Sequence, residues 1–335
     1  MIRVAIDAMG GDDAPVTPVA GAALALETLP EDVTVQLVGQ TAAIEAELRR
    51  QGIATSSRLV IVEAPDVVGM GEKPLQALRS KKQSSIIVGL GLQKAAQSDA
   101  FISAGNTGAV MAASTLILRL FPGFERPAIG TPFPAFNRML LMLDAGANVD
   151  CSAQELLGFA RLGVQYVKDA IGKERPVVGL LNIGEEEEKG NASAKEAYRL
   201  ITESGLAFVG NIEGRDLLGG RCERGEFDVV VCDGFVGNIL LKFYESVQRL
   251  FHKLVDREMG PEVTGSAAMG RIWHALDYAQ YGGAPLLGVQ GVSIICHGGS
   301  SKEAIAAAVK VAVHAARHDL VQHMAREFAA TEATP

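Results

Sequence analysis

What most constrains this chain is a signature repeated along it: a short apolar run that closes on a turn of Gly, Asn, Asp, Ser or His. Arg3 to Ala8 closes on Met9-Gly10-Gly11-Asp12, and Ala100 to Ile102 closes on Ser103-Ala104-Gly105-Asn106-Thr107-Gly108. Leu140 to Leu143 closes on Asp144-Ala145-Gly146-Ala147-Asn148, and Val177 to Leu181 on Asn182-Ile183-Gly184. Asp228 to Cys232 closes on Asp233-Gly234-Phe235, and Val292 to Cys296 on His297-Gly298-Gly299-Ser300. Val33 to Val38, Leu59 to Glu63 and Phe208 to Glu213 read as further strands. Runs of this kind suit strands covered on both faces, and helical patterns alternate with them. The alternation predicts an α/β fold: a three-layer α/β/α sandwich on a largely parallel, mixed, Rossmann-like sheet. It is expected to form one domain over 1–335, or two intimate halves. In such folds ligands collect beyond the carboxyl ends of the strands, where these polar turns lie.

The stretch from Ser103 to Ala109 shows what such a corner can do. Its glycines let a ligand approach bare backbone, and the small apolar run Val110 to Leu118 reads as a packed helix. The free N–H groups of that helix's first turn would face an anion. Ala100 to Leu118 carries no charge and approaches membrane-spanning length, but its polar and glycine residues favour strand, turn and helix over a span.

The helix signals follow the same order. Val16 to Leu29 reads as a helix, Thr41 as the N-cap of a helix through Arg50, and Gly69 to Pro74 as a loop. Ser84-Ser85 precedes a helix reaching about Ser98. Ser300-Ser301-Lys302-Glu303 fits a capping box opening one long helix, with Ile305, Val309, Val313, Ala316, Leu320 and Met324 on a stripe. A protruding helix pair is expected near 239–281. Leu240, Phe243, Tyr244, Val247, Leu250, Phe251 and Leu254 recur at helical spacing, Gly260-Pro261 interrupts them, and Met269, Ile272, Trp273 and Leu276 resume. An apolar face of this kind suits a dimer contact. A peripheral membrane contact through Met259 and Trp273 is the alternative, weakened by Glu258 and Glu262.

Charge and cysteine usage exclude several classes. The 335 residues carry a net charge of −8, so a nucleic-acid backbone is not an expected partner. Cys151, Cys222, Cys232 and Cys296 show no metal spacing and read as reduced thiols of a cytoplasmic protein. Asp7 interrupts the apolar start, which argues against a signal peptide. The sequence lacks a G-x-x-x-x-G-K-[S/T] loop, a G-x-G-x-x-G fingerprint and a G-x-S-x-G elbow. The remaining inventory suits a cleft that needs no cofactor or metal, rich in hydrogen-bond donors and fit for an oxyanion such as phosphate.

Several blocks carry a resemblance. They are Asp7-Ala8-Met9-Gly10-Gly11-Asp12, Ser80-Lys81-Lys82-Gln83-Ser84-Ser85-Ile86, Ser103 to Ala109, and Leu181-Asn182-Ile183-Gly184-Glu185 through Lys189-Gly190-Asn191. Gly210-Asn211-Ile212-Glu213-Gly214-Arg215-Asp216, Asp233 to Asn238, and Tyr281-Gly282-Gly283-Ala284-Pro285-Leu286-Leu287-Gly288 complete them. In this order, over essentially the whole chain, they resemble the bacterial phosphate acyltransferase family. Asp13, Val236 and Gly299 depart from the family pattern without removing a polar group that has a role. The resemblance implies an isocitrate-dehydrogenase-like fold, a homodimer, and transfer of a long-chain fatty acyl group from acyl carrier protein to inorganic phosphate. The acyl phosphate would serve glycerol-3-phosphate acylation, with a membrane acyltransferase as a further partner. A phosphotransacylase acting on coenzyme A thioesters and a non-catalytic carrier-binding scaffold are the competing readings.

Such chemistry fits the residues. Phosphate is already an anionic nucleophile, and a thiol with a pKa near 8.5 leaves with little acid help. Catalysis then rests on positioning and on stabilising the tetrahedral oxyanion. Lys189 and Asn238 are expected to neutralise charge and hold the oxyanion, and His297 to protonate the departing thiol. Asp7, Gly10, Gly11, Ser103, Asn106, Thr107, Asn182 and Asp233 are expected to bind phosphate or acyl group. Arg79, Lys81 and Lys82 are expected to receive the acidic carrier. Structural readings of the same residues stay open: Asn106 and Asn238 as helix caps, Asp7 and Asp233 as turn ties, Lys189 as a solvated charge, His297 as a structural histidine.

Overall fold

The computed structural model describes residues 1–136, 138–276 and 281–332. The chain divides into two compact units, Met1–Pro127 with Tyr281–Pro335, and Ala128–Gln280. The first begins with β1 (Ile2–Asp7), α1 (Val16–Thr28), β2 (Val33–Gly39), α2 (Thr41–Gln51) and β3 (Leu59–Glu63). It continues with α3 (Pro74–Ser80), α4 (Ser85–Lys94), β4 (Ala100–Ser103) and α5 (Thr107–Ile117). The second unit holds β5 (Ala128–Ile129), β6 (Thr131–Ala135), β7 (Arg138–Leu143), α6 (Ala153–Tyr166), β8 (Val178–Leu181), α7 (Ala192–Glu203) and β9 (Phe208–Ile212). It ends with β10 (Arg221–Cys222), β11 (Gly225–Glu226), β12 (Val229–Val231), α8 (Gly234–Met259), α9 (Pro261–Thr264) and α10 (Ala267–Leu276). The chain returns to the first unit with β13 (Ala284–Leu287), β14 (Ser293–Ile295), α11 (Lys302–Arg317) and α12 (Leu320–Glu332).

Each unit is α/β with a parallel-dominated sheet. In the first, the strands run β3-β2-β1-β4-β14-β13, all parallel except β13, which lies antiparallel to β14. The innermost strand β4 is buried along its whole length, as its uninterrupted apolar run requires. Phe101 points to α4, where Gly89 leaves room for its ring, so Ala100 and Ile102 point to the other face. There α11 packs on β1 and β4, and α1 packs on α11. In the second unit the sheet order is β6-β7-β12-β8-β9, parallel except for β6 against β7, and β10–β11 is a separate hairpin. α6 packs on β7, β12 and α7. The uncharged stretch Ala100 to Leu118 divides into β4 and α5, and no described helix is long and apolar enough to cross a membrane.

The structure corrects three local expectations. Thr41 is the first residue of α2 rather than its cap. Gln40 holds the cap position without a side-chain bond, and Glu63 from β3 accepts the Thr41 N–H at 3.0 Å. Cross-strand reach thus satisfies a helix end that local sequence leaves open. At the last crossover Ser301, not Ser300, caps α11, accepting the Ala304 N–H at 3.2 Å. The long helix read through Met324 is two, because Asp319 turns to φ +49, a conformation that Asp tolerates better than most side chains. α12 then angles Phe328 against Phe121 and Phe124.

Of the helix pair, α8 starts at Gly234, earlier than expected, and α9 and α10 follow the Gly260-Pro261 break. Residues 277–280 of the expected 239–281 span lie outside the described residues. The Tyr244 hydroxyl donates to the Leu276 carbonyl at 3.0 Å, and Trp273 packs on Phe251 and His252, which ties α10 to α8.

Candidate active site

In the first unit, polar turns after β1, β4 and β14 meet at the carboxyl end of the sheet. Asp7, the last residue of β1, is buried and accepts the Ser103 hydroxyl from the end of β4 at 2.7 Å and the Met9 N–H at 3.1 Å. Burial pushes its carboxyl above the usual range, against the hydrogen bonds of Ser103 and Ser85. Ser103 in turn accepts the Gly105 N–H at 3.0 Å. A side chain at Gly10 would sit 2.5 Å from the Asp7 carboxylate and 2.7 Å from the Gly105 nitrogen, so only glycine fits there. Gly11, at φ +116, faces the Gly298 carbonyl, which also accepts the Asp12 N–H at 2.9 Å.

Asn106 caps α5, accepting the Ala109 N–H at 3.1 Å. Its amide nitrogen donates to the carbonyls of Gly69, Met70 and Glu72, at 3.3, 3.0 and 2.9 Å. The side chains of Ser103 and Asn106 therefore build the corner. What the corner presents outward is exposed Thr107 and the backbone N–H groups that open α5. His297 is exposed at the end of β14, and its Nδ1 accepts the Gly299 N–H at 3.1 Å, which places the neutral ring's proton on Nε2.

Beside this corner, Lys81 donates to the Val67 carbonyl at 2.6 Å and pairs with Glu72, whose carboxylate also accepts the Gly69 N–H at 2.7 Å. The Lys81 ammonium holds the Glu72 carboxyl below its usual range. Lys81 thus clamps the loop that Asn106 grips. Arg79 and Lys82 are exposed. A groove of about 850 Å³ runs along α3 between Lys73, Leu75, Gln76 and Arg79.

In the second unit the polar turns after β7, β8 and β12 gather likewise. Asp233 caps α8, accepting the Val236 N–H at 2.7 Å, so the capping reading belongs to Asp233 rather than to Asn238. Asn238 lies within α8, exposed, with its side chain against Gly146. Asn182 accepts the Ile183 N–H at 2.8 Å and donates to the Lys189 carbonyl at 3.0 Å. Lys189 is exposed, 3.9 Å from Glu186, and precedes Asn191, the cap of α7. An exposed pair that loose contributes about 0–1 kcal/mol and leaves the ammonium available.

Sequence reasoning missed Asp144. It is fully buried and accepts four hydrogen bonds, from the Ile129, Ala147 and Asn148 backbone N–H groups and from the Asn148 amide. Burial nonetheless pushes its carboxyl upward. The Asp144 backbone carbonyl lies where any side chain on Gly237 would be, 2.0 Å from its Cβ, so α8 enters close over this turn. The signal was present: Asp144-Ala145-Gly146 repeats the strand-ending aspartate and glycine turn of Asp7 to Gly10.

A family model described as fatty acid synthesis protein matches residues 2–323. The phosphate acyltransferase of Desulforamulus reducens is 45% identical over 328 residues, covering 96% of each chain, and that of Heliobacterium modesticaldum is 46% identical over 318 residues, covering 93% of each. Among solved structures, a phosphotransacetylase from Streptococcus pyogenes is similar in fold with a TM-score of 0.64 at 18% identity, over 96% of this chain and 94% of that one. A branched-chain phosphotransacylase from Enterococcus faecalis has a TM-score of 0.60 at 13% identity, over 95% of this chain and all of that one. With the family's motifs in order and this identity sustained from end to end, the chain belongs to the phosphate acyltransferase family of fatty acid synthesis, a family of acyltransferases.

Proposed function

We propose that this protein transfers a long-chain fatty acyl group from acyl carrier protein to inorganic phosphate, releasing acyl phosphate for phospholipid synthesis. The observation that carries the reading furthest is the corner at Thr107. Rigid bonds through Asp7, Ser103 and Asn106 preorganise backbone donors at a helix start, which suits a tetrahedral anion. A phosphate oxygen attacks the thioester carbonyl, the carbon–oxygen bond forms, and the carbon–sulfur bond breaks with the pair leaving on sulfur. Lys189 and Asn238 serve as the mobile cation and the oxyanion donor. A single such donor is worth about 2.7–4 kcal/mol. His297, whose Nδ1 accepts the Gly299 N–H, cannot act as the imidazolium acid expected from the sequence; its neutral Nε2–H donates a hydrogen bond to the departing thiolate, which leaves as the anion and takes its proton from water.

Arg79 and Lys82, with Lys81 as the strut behind them, serve as the landing surface for the acidic carrier. The α8 stripe of Ile239, Phe243, Val247, Leu250 and Leu254 lies exposed by 38–66%, an apolar face suited to a second copy of the chain.

Purified protein incubated with long-chain acyl carrier protein should release thiol only when phosphate is present. Release from long-chain acyl-coenzyme A but not from the carrier would favour the coenzyme A reading. No release from either thioester would leave carrier binding without catalysis.

A further inference from the structure

A cavity of about 350 Å³ in the second unit is lined by Asn182 and Asp233, expected from the sequence to bind phosphate or acyl group, and the mechanism proposed above gives it no step. It opens at the carboxyl ends of β8 and β12, among the N-termini of α7 and α8 and beside Leu156 of α6. That volume lies within the range of about 300–1,000 Å³ typical of small-molecule pockets. We infer that this cavity receives the hydrocarbon chain of the acyl substrate, a reading that rests on the proposed acyl transfer.

The lining chooses between occupants. Leu156, Leu180 and Cys232 form a buried floor. At the lip stand Ile183 and Val236, 83% and 37% exposed, apolar side chains held in water where an apolar ligand would cover them. Both asparagines of the lining hold local structure. Asn182 bonds both ends of its amide to its own loop, and Asn191 accepts the Ala194 N–H at 2.8 Å. The lining contains no Lys or Arg, and its one carboxylate, Asp233, is spent on the α8 cap, accepting the Val236 N–H at 2.7 Å, so no side-chain charge on the wall calls for a charged ligand. The Cys151 and Cys232 thiols are held protonated, by burial first and by Asp144 nearby, so they add uncharged, soft surface. An uncharged apolar chain is the occupant that matches the buried floor and covers the exposed apolar lip.

The test compares hexadecanoyl and butanoyl thioesters of the carrier protein, the second too short to need the cavity. Val236→Trp narrows the lip from an exposed position that tolerates bulk, and Ala194→Trp narrows the α7 wall. Each buried methylene is worth about fourfold in affinity, so loss of two or three should cut the hexadecanoyl-to-butanoyl ratio of kcat/KM by about 15–60-fold. Butanoyl turnover itself should stay within about threefold of wild type. An unchanged ratio in both folded variants, or equal losses on both substrates, overturns the inference. If the wild-type protein turns over neither thioester, the acyl-transfer reading fails, and equilibrium dialysis of labelled hexadecanoate then decides the cavity alone. Binding lost in both variants supports it, and binding absent or unchanged overturns it.

Discussion

Replacing Asn106 by alanine should separate the architecture of the Thr107 corner from its chemistry. The cap bond to the Ala109 N–H is worth about 1 kcal/mol, within a range of roughly 0.5–2. The amide also holds three carbonyls of the 69–72 loop, one of them at a weak 3.3 Å. Net contributions of about 0.5–1.5 kcal/mol for each of the two good bonds bring the total to about 2–4 kcal/mol. For a folding unit of this size, 1 kcal/mol shifts the midpoint by about 2–4 °C, so thermal unfolding of the first unit should move down by roughly 9 °C. Asn106→Asp is the control. Aspartate caps as well as asparagine but sets a carboxylate against three carbonyl oxygens, so it should keep protection of the first turn of α5 while the 69–72 loop exchanges faster. Calorimetry together with hydrogen exchange reads both. An Asn106→Ala protein with a wild-type midpoint, wild-type exchange over 69–72 and abolished turnover would refute the argument, because Asn106 would then act on substrate and not on the fold.

Lys189→Ala and Asn238→Ala should each lower phosphate-dependent thiol release at least tenfold while circular dichroism stays unchanged; wild-type rates in both would remove them from the mechanism. On the proposed pairing of two copies through α8, Phe243→Glu places a charge in its exposed stripe and should shift sedimentation towards the monomer, whereas an unchanged distribution would remove this face as a contact. Burial and the Asp144 charge push the Cys151 thiol from 9.0 up to about 12, which at neutral pH leaves about a thousandfold less thiolate than an unperturbed cysteine. In a protein with the other cysteines replaced by serine, alkylation by iodoacetamide should still climb about tenfold per unit between pH 9 and 11, where free cysteine levels off, and urea should abolish the difference; a plateau near pH 9 in the folded protein would contradict it.

Apolar runs are local, and so the strands were legible from the chain. β3 is where the pattern placed it, and β1, β2, β4, β8, β9, β12 and β14 end within two residues of it. Short or edge elements carried no such run. β6 contains two prolines that a central strand would not tolerate, and β13 follows a glycine pair, so neither stood out as a strand. Helix ends failed where the satisfying group came from afar, as Glu63 does for α2.

The sequence by itself determined the α/β class, the polar strand ends and the membership of the family, because periodicity and motif order are properties of neighbours along the chain. Only the tertiary structure decided what those polar side chains do. It showed that Asn106 grips a loop more than thirty residues away, that Lys81 braces Glu72, and that Asp144 takes a buried role like that of Asp7. A side chain's hydrogen-bond partners depend on which turns folding brings within about 3 Å, and a one-dimensional pattern holds no record of that distance.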